Sequence, residues 1–166
     1  MASSTYKDTA VLLSESKIVL VSSSGVKILP HTIEGYNDIW LEGDRILLAG
    51  RKGLVELLMN EMASREIIGG VELYAVNGYG ATGKSILAVL SSQSAETVKI
   101  NGTMKGLDKI QCGLVAVGDI GLVAYRYGKT SYYSVPGGER LKSAAVKPDG
   151  AYALICLLYT SDAADE

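Results

Sequence analysis

RILLAGRKG, residues 45–53, is an apolar strand that runs into a short polar turn closed by glycine. The same arrangement returns as KIVLVSSSG from Lys17, SILAVLSSQ from Ser85, GLVAYRYGK from Gly121 and, shortened, AYALI from Ala151. A polar turn precedes each strand: SES at 14–16, EGD at 42–44, NGYGATGK at 77–84, VGDI at 117–120 and KPDG at 147–150. Gly, Asp and Asn dominate most of these turns because hairpins need residues that accept positive φ or bond their own backbone.

Reading outward from these strands gives a repeating unit. First strands are TAVLLS, DIWLE, VELYAV, GLVAV and KSAAV. The five quoted strands are the second of each unit. Third strands are VKILPH from Val26, LVELLMN from Leu54, ETVKIN from Glu96 and TSYYSV from Thr130. Weaker fourth strands fall at 32–36, 65–68, 106–110 and 139–142. LVELLMNEMASRE has apolar residues at helical spacing (Leu54, Leu57, Leu58, Met62), but its place in the repeat makes it strand, turn, strand. Four antiparallel strands returning every ~30–40 residues are the blades of a propeller. The expected fold is therefore all-β: an incomplete β-propeller of about four four-stranded antiparallel blades plus the start of a fifth. Both faces of a blade pack on neighbours, which explains near-continuous apolar runs such as KIVLV and SILAVL.

Composition agrees. Hydrophobic residues make up 48% and charged residues 20% of 166, enough for a packed core, and Gly is frequent at 19 while Pro is scarce at 3. No run approaches the ~18 apolar residues of a membrane span, and MASSTYKDTA has no signal-peptide core, so a cytoplasmic protein without membrane contact is expected. The net charge of −2 gives no basic field for nucleic acid. Cys112 and Cys156 lack metal-ligand spacing, His31 is the single histidine, and no metal or cofactor is expected. Cys112 reads as a small buried residue and His31 as a loop residue. Asp44, Asp119 and Asp149 recur at one turn position as turn formers, and the NGT at Asn101 reads as a turn.

Two resemblances add to this. KSAAVKPDGAYALI is similar to the first hairpin of WD-repeat and related propeller blades, with PDG joining its strands. LLAGRKGLVELLMNEMASREI resembles the later hairpins of such a blade. The likeness covers residues 9–155, but the GH and WD dipeptides are missing and the only Trp, Trp40, lies in a first strand. It implies a WD-repeat-like scaffold for protein–protein interaction. CLLYTSDAADE, residues 156–166, resembles the translation of a transposase adaptor used to prepare sequencing libraries. That implies a non-native tail, native sequence ending near Ile155, residues 1–8 as a lead-in and 9–155 as the propeller domain. Without the tail's Asp162, Asp165 and Glu166, 15 of 18 acidic residues face 16 basic ones, a net of +1. A fragment of a ring is expected to self-associate through exposed blade edges.

For function, one rim of a propeller carries the turns between second and third strands and the connections between blades. Arg51 and Lys52 from one blade, and Tyr127 and Lys129 from another, are the expected contacts on that rim for a protein partner, since Arg and Tyr favour interfaces. No catalytic residue is assigned. An alternative is a phosphate loop: GYGATGKS at 78–85 satisfies G-x-x-x-x-G-K-[ST], with Gly78 and Gly83 wrapping phosphates, Lys84 reaching them and Ser85 holding magnesium. That reading needs a helix opening at Ser85, where SILAVL is equally a strand, and it lacks a clear second acidic motif. A further alternative is an enzymatic propeller whose site lies beyond Ile155.

Overall fold

The computed structural model describes residues 1–31, 33–59, 63–92, 94–134, 141–146 and 153–157. These form sixteen antiparallel strands and no helix. Blade one is β1 (Ala2–Tyr6), β2 (Thr9–Leu13), β3 (Ile18–Ser22) and β4 (Gly25–Ile28); blade two is β5 (Tyr36–Glu42), β6 (Arg45–Gly50), β7 (Gly53–Leu58) and β8 (Ala63–Gly69).

The next ladder runs β9 (Leu73–Asn77), β10 (Gly80–Leu90), β11 (Ala95–Ile110), β12 (Gly113–Gly118), β13 (Gly121–Arg126) and β14 (Lys129–Tyr133). It contains two blades. The Leu90 amide donates to the Tyr79 carbonyl at 2.9 Å, whereas a straight strand would hold those residues roughly 35 Å apart. β10 therefore folds back on itself around Lys84 and Ser85, where Ser85 takes φ 60°. Gly80–Gly83 pair with β9 and Ile86–Leu90 pair with β11. β11 is likewise shared: Ala95–Lys99 pair with β10, and Met104–Ile110 pair with β12. It crosses between blades at Asn101 and Gly102, with Gly102 at φ 88°. Blade three is thus β9, the two arms of β10 and the first part of β11. Blade four is the rest of β11 with β12, β13 and β14. The hairpin of β15 (Leu141–Val146) and β16 (Ala153–Leu157) begins a fifth blade.

First strands meet one another in succession: β1 against β5, β5 against β9, β9 against β11, and β11 against β15. That is the radial order of a propeller, whose innermost strands surround an axis; the described blades do not close into a ring. Period-2 alternation serves both faces of each blade. In β6, Ile46 and Leu48 join a core with Val11, Leu13 and Ile18 of blade one, while Leu47 and Ala49 join a core with Leu73, Val76 and Ala88 of blade three. In β12, Leu114 and Ala116 pack with Leu87 and Met104, while Val115 and Val117 face the opposite way. Burying a Leu, Ile or Val of this kind contributes about 1.5–3 kcal/mol.

The sequence-based strand order holds in blade two; it is displaced by one strand in blades one and four, and from the second strand onward in blade three, where VELYAV is the first strand as expected. KIVLV, SILAVL and GLVAY are third strands; the second strands there are TAVLL, the Gly80–Gly83 arm and GLVAVG. Second and third strands are both interior to a blade and apolar on both faces, so periodicity cannot separate them. Three further placements change with this. Residues 106–110 belong to an inner strand, not a fourth strand. The lead-in at 1–8 contains β1, and residues 33–35 form a connection before β5. β16 also runs two residues past Ile155, pairing Cys156 with Ser143 and Leu157 with Leu141; residues 158–166 lie outside the described residues.

Candidate interaction surface

Three glycines fix the ends of the second strands. A Cβ at Gly50, Gly83 or Gly118 would overlap the carbonyl oxygen of Gly35, Glu72 or Thr103, respectively. Each of these oxygens accepts the amide of the residue after the glycine: Arg51 at 2.9 Å, Lys84 at 2.9 Å and Asp119 at 3.0 Å. The backbone is therefore the same in three consecutive blades, and the turns that follow are Arg51–Lys52, Lys84–Ser85 and Asp119–Ile120. All six of these side chains are exposed. These turns and the connections between blades lie on one rim of the propeller, the upper rim.

Inner-strand residues join them. Tyr74, second in β9, lies within electrostatic reach of Glu72, Arg51 and Asp119. The nearby Glu72 carboxylate, followed by burial, raises the Tyr74 pKa above 10.0, while Arg51 opposes the rise. The Lys105 ammonium, on the inner strand of blade four, stands 6.0 Å from the Tyr74 ring centre, at the outer limit of a cation–π contact. The rim thus gathers side chains of both charges around one tyrosine near the axis.

Of the expected contacts, Arg51 and Lys52 lie on this rim. Tyr127 and Lys129 do not: Tyr127 is in, and Lys129 follows, the turn between the third and fourth strands of blade four, on the lower rim. Asp119 and Ile120 occupy the upper-rim position instead, which follows from the one-strand displacement. For the same reason Asp44 and Asp119 lie on opposite rims, and Asp149 is outside the described residues. Cys112 is exposed at φ 57° in the turn between β11 and β12, not buried. The Tyr127 amide donates to the Cys112 carbonyl at 3.4 Å, and the neighbouring Cys112 side chain raises the Tyr127 pKa. Also on the lower rim, Lys109 Nζ lies 3.6 Å from the Tyr79 ring centre.

GYGATGKS does not form a phosphate loop. Asn77 Oδ1 accepts the amides of Tyr79 at 2.8 Å and Gly80 at 2.9 Å, closing a turn between first and second strands. Gly80–Gly83 is a strand, Lys84 and Ser85 form the next turn, and Ile86 opens the third strand. Gly78 and Lys84 therefore sit at opposite rims, and no helix starts at Ser85. The segment is also not one long turn, since its middle is the second strand of blade three. Gly83 and Lys84 were legible as blade positions only by matching G-R-K-G and G-D-I-G to G-K-S-I. Glu72, Tyr74 and Lys105 carried no motif.

Fold and rim together define a β-propeller with an open, polar upper rim. Solved structures carry the same fold. The extracellular domain of BT4673 from B. thetaiotaomicron matches with a TM-score of 0.70 at 13% identity, over 94% of this chain and 26% of that one. The Neurospora crassa Pan2 WD40 domain matches at 0.69 and 12%, over 93% and 58%. The N-terminal domain of Nup159 matches at 0.57 and 18%, over 89% and 50%. The chain thus spans between about a quarter and three fifths of these propellers. No protein-family model and no curated protein sequence matches it.

Proposed function

We propose that this chain is a WD-repeat-like scaffold that binds another protein through its upper rim. One observation carries the reading: three structurally equivalent turns hold six exposed, chemically different side chains, from Arg51–Lys52 through Lys84–Ser85 to Asp119–Ile120. A constant backbone with varied tips gives a partner a charge pattern to read, and such complementarity sets specificity and association rate. Tyr74 supplies an aromatic ring near the centre, where interface energy concentrates. In support, one matched structure of S. cerevisiae proteins has Dbp5 bound to Nup159 and Gle1. The fold selects no compartment, since BT4673 carries it in an extracellular domain.

The test is affinity capture with the double variant Arg51→Glu, Lys52→Glu beside the wild type and Lys129→Glu. A partner held by the wild type and Lys129→Glu but released by the upper-rim variant supports the reading. Retention by the upper-rim variant, or loss only with Lys129→Glu, would move the interface elsewhere.

A further inference from the structure

Asparagine precedes glycine twice in the chain, at Asn77–Gly78 and Asn101–Gly102. In such a pair the glycine amide nitrogen can attack the asparagine side-chain carbonyl, because no Cβ obstructs its approach. The fold treats the two pairs differently. Asn77 is 7% exposed, and its Oδ1 accepts the Tyr79 and Gly80 amides at 2.8 and 2.9 Å, which holds the side chain in the turn. Gly78 is enclosed as well: a Cβ there would stand 3.0 Å from Trp40 Nε1 and 3.1 Å from Glu42 Oε2. Asn101 is exposed. It lies where β11 crosses from blade three to blade four, and the registers with β10 and β12 leave Ile100, Asn101 and Gly102 without a ladder partner. The crossing also demands glycine at 102. Its φ is 88°, and a Cβ there would meet Ile120 Cγ2 at 2.8 Å. The reactive neighbour of Asn101 is therefore built into the connection.

We propose that Asn101 is a site of spontaneous deamidation, and that the fold confines this reaction to Asn101 and protects Asn77. The Gly102 amide gives up its proton to solvent base, and its nitrogen forms a bond to Asn101 Cγ. The Cγ–Nδ2 bond breaks, and Nδ2 leaves as ammonia with a proton from water. The product is a cyclic imide. One water then opens it. Cleavage between the Gly102 nitrogen and Cγ gives aspartate, and cleavage between that nitrogen and the Asn101 backbone carbonyl carbon gives isoaspartate. One water is consumed and one ammonia is released, with no oxidation or reduction. At Asn77 the fixed side chain and the burial withhold both the approach and the base. Either product places a new carboxylate on the upper rim, beside the Asp119–Ile120 turn. The isoaspartate also lengthens the backbone at the blade crossing.

Tryptic cleavage separates the two sites, since Asn101 falls in the peptide 100–105 and Asn77 in 66–84. The full chain is aged in mildly alkaline buffer, digested under acidic conditions and mapped by mass spectrometry. The expected result is that peptide 100–105 exchanges an amide NH2 for OH and splits into two chromatographic forms. Peptide 66–84 should convert at least about tenfold more slowly, since it reacts only through local opening. In urea the two rates should converge. Isoelectric focusing should show an acidic form that grows with time and is missing in Asn101→Gln, whose longer side chain would have to close a larger ring. No conversion at Asn101, equal rates in the folded chain, or an undiminished acidic form in Asn101→Gln would overturn the assignment. The reaction needs no partner, so it stands or fails apart from the upper-rim reading.

Discussion

The Asp38 carboxylate accepts the Val76 amide at 2.9 Å, joining the inner strand of blade two to that of blade three. Its other oxygen accepts the Ile39 amide at 2.9 Å. Asp108 repeats the local half of this device in blade four, accepting the Lys109 amide at 2.8 Å. Two other bonds join neighbouring inner strands: Leu41 N to Ser4 Oγ at 2.9 Å and Asn37 Nδ2 to Leu73 O at 2.7 Å. Asp38→Ala leaves two amides without their acceptor, and each such loss costs about 1–3 kcal/mol when the donor stays buried. Urea unfolding should show a loss of at least about 1 kcal/mol and up to about 6 if both donors stay buried; a loss below ~0.5 kcal/mol would mean water replaces the carboxylate.

Asp38 also sets a pH dependence. Burial raises its pKa above 3.8, and the two amide bonds offset part of the rise. The folded state thus holds the proton to higher pH than the unfolded chain. The contribution of this group is fully present below the unfolded value and is lost as pH rises through the folded one. The stability of the wild type minus that of Asp38→Asn should therefore fall as pH rises from about 3.8 and then level off. A difference that grows with pH contradicts the assignment.

Gly118→Ala should be costlier than Gly43→Ala. At Gly118 the added methyl meets the Thr103 carbonyl, which is backbone and cannot swing away. At Gly43 the space is open and only the φ of 64° resists, a strain of roughly 1–2 kcal/mol. Overpacking typically costs about 1–3 kcal/mol, with more possible when backbone must move. Equal losses in thermal or urea unfolding would show that the second-strand glycine is not a packing requirement.

Lys84→Ala should change stability by no more than ~0.5 kcal/mol, as exposed substitutions usually do. ATP with magnesium should leave the melting temperature unchanged. A genuine nucleotide site would add about 2.7 kcal/mol at a hundredfold excess over Kd. A nucleotide-dependent rise that Lys84→Ala abolishes would restore the phosphate-loop reading.

The outer strand of blade one should drive self-association. Val26 and Ile28 of β4 are 71% and 56% exposed, and an unpaired apolar edge is a template for another chain. Light scattering should show mass rising with concentration, and the double variant Val26→Lys, Ile28→Lys should reduce it. Concentration-independent monomer mass in the wild type would exclude this edge as a contact.

The amino-acid sequence by itself determined the all-β class, the glycine turns and the blade repeat, because apolar strands broken by Gly, Asp and Asn are local signals. It also put Arg51 and Lys52 between the second and third strands of blade two, because both strands are marked by the glycines at 50 and 53. The tertiary structure decided the register of the other blades. Interior strands look alike in composition, so only pairing shows that KIVLV and GLVAY are third strands and that Gly80–Gly83 is a second. From that single step follow the separation of Tyr127 and Lys129 from Arg51, and the disappearance of the phosphate loop into two turns and a strand. Tyr74 with Lys105 and Asp38 with Val76 join residues from different blades. Their meeting depends on how the elements stack, which no local pattern encodes.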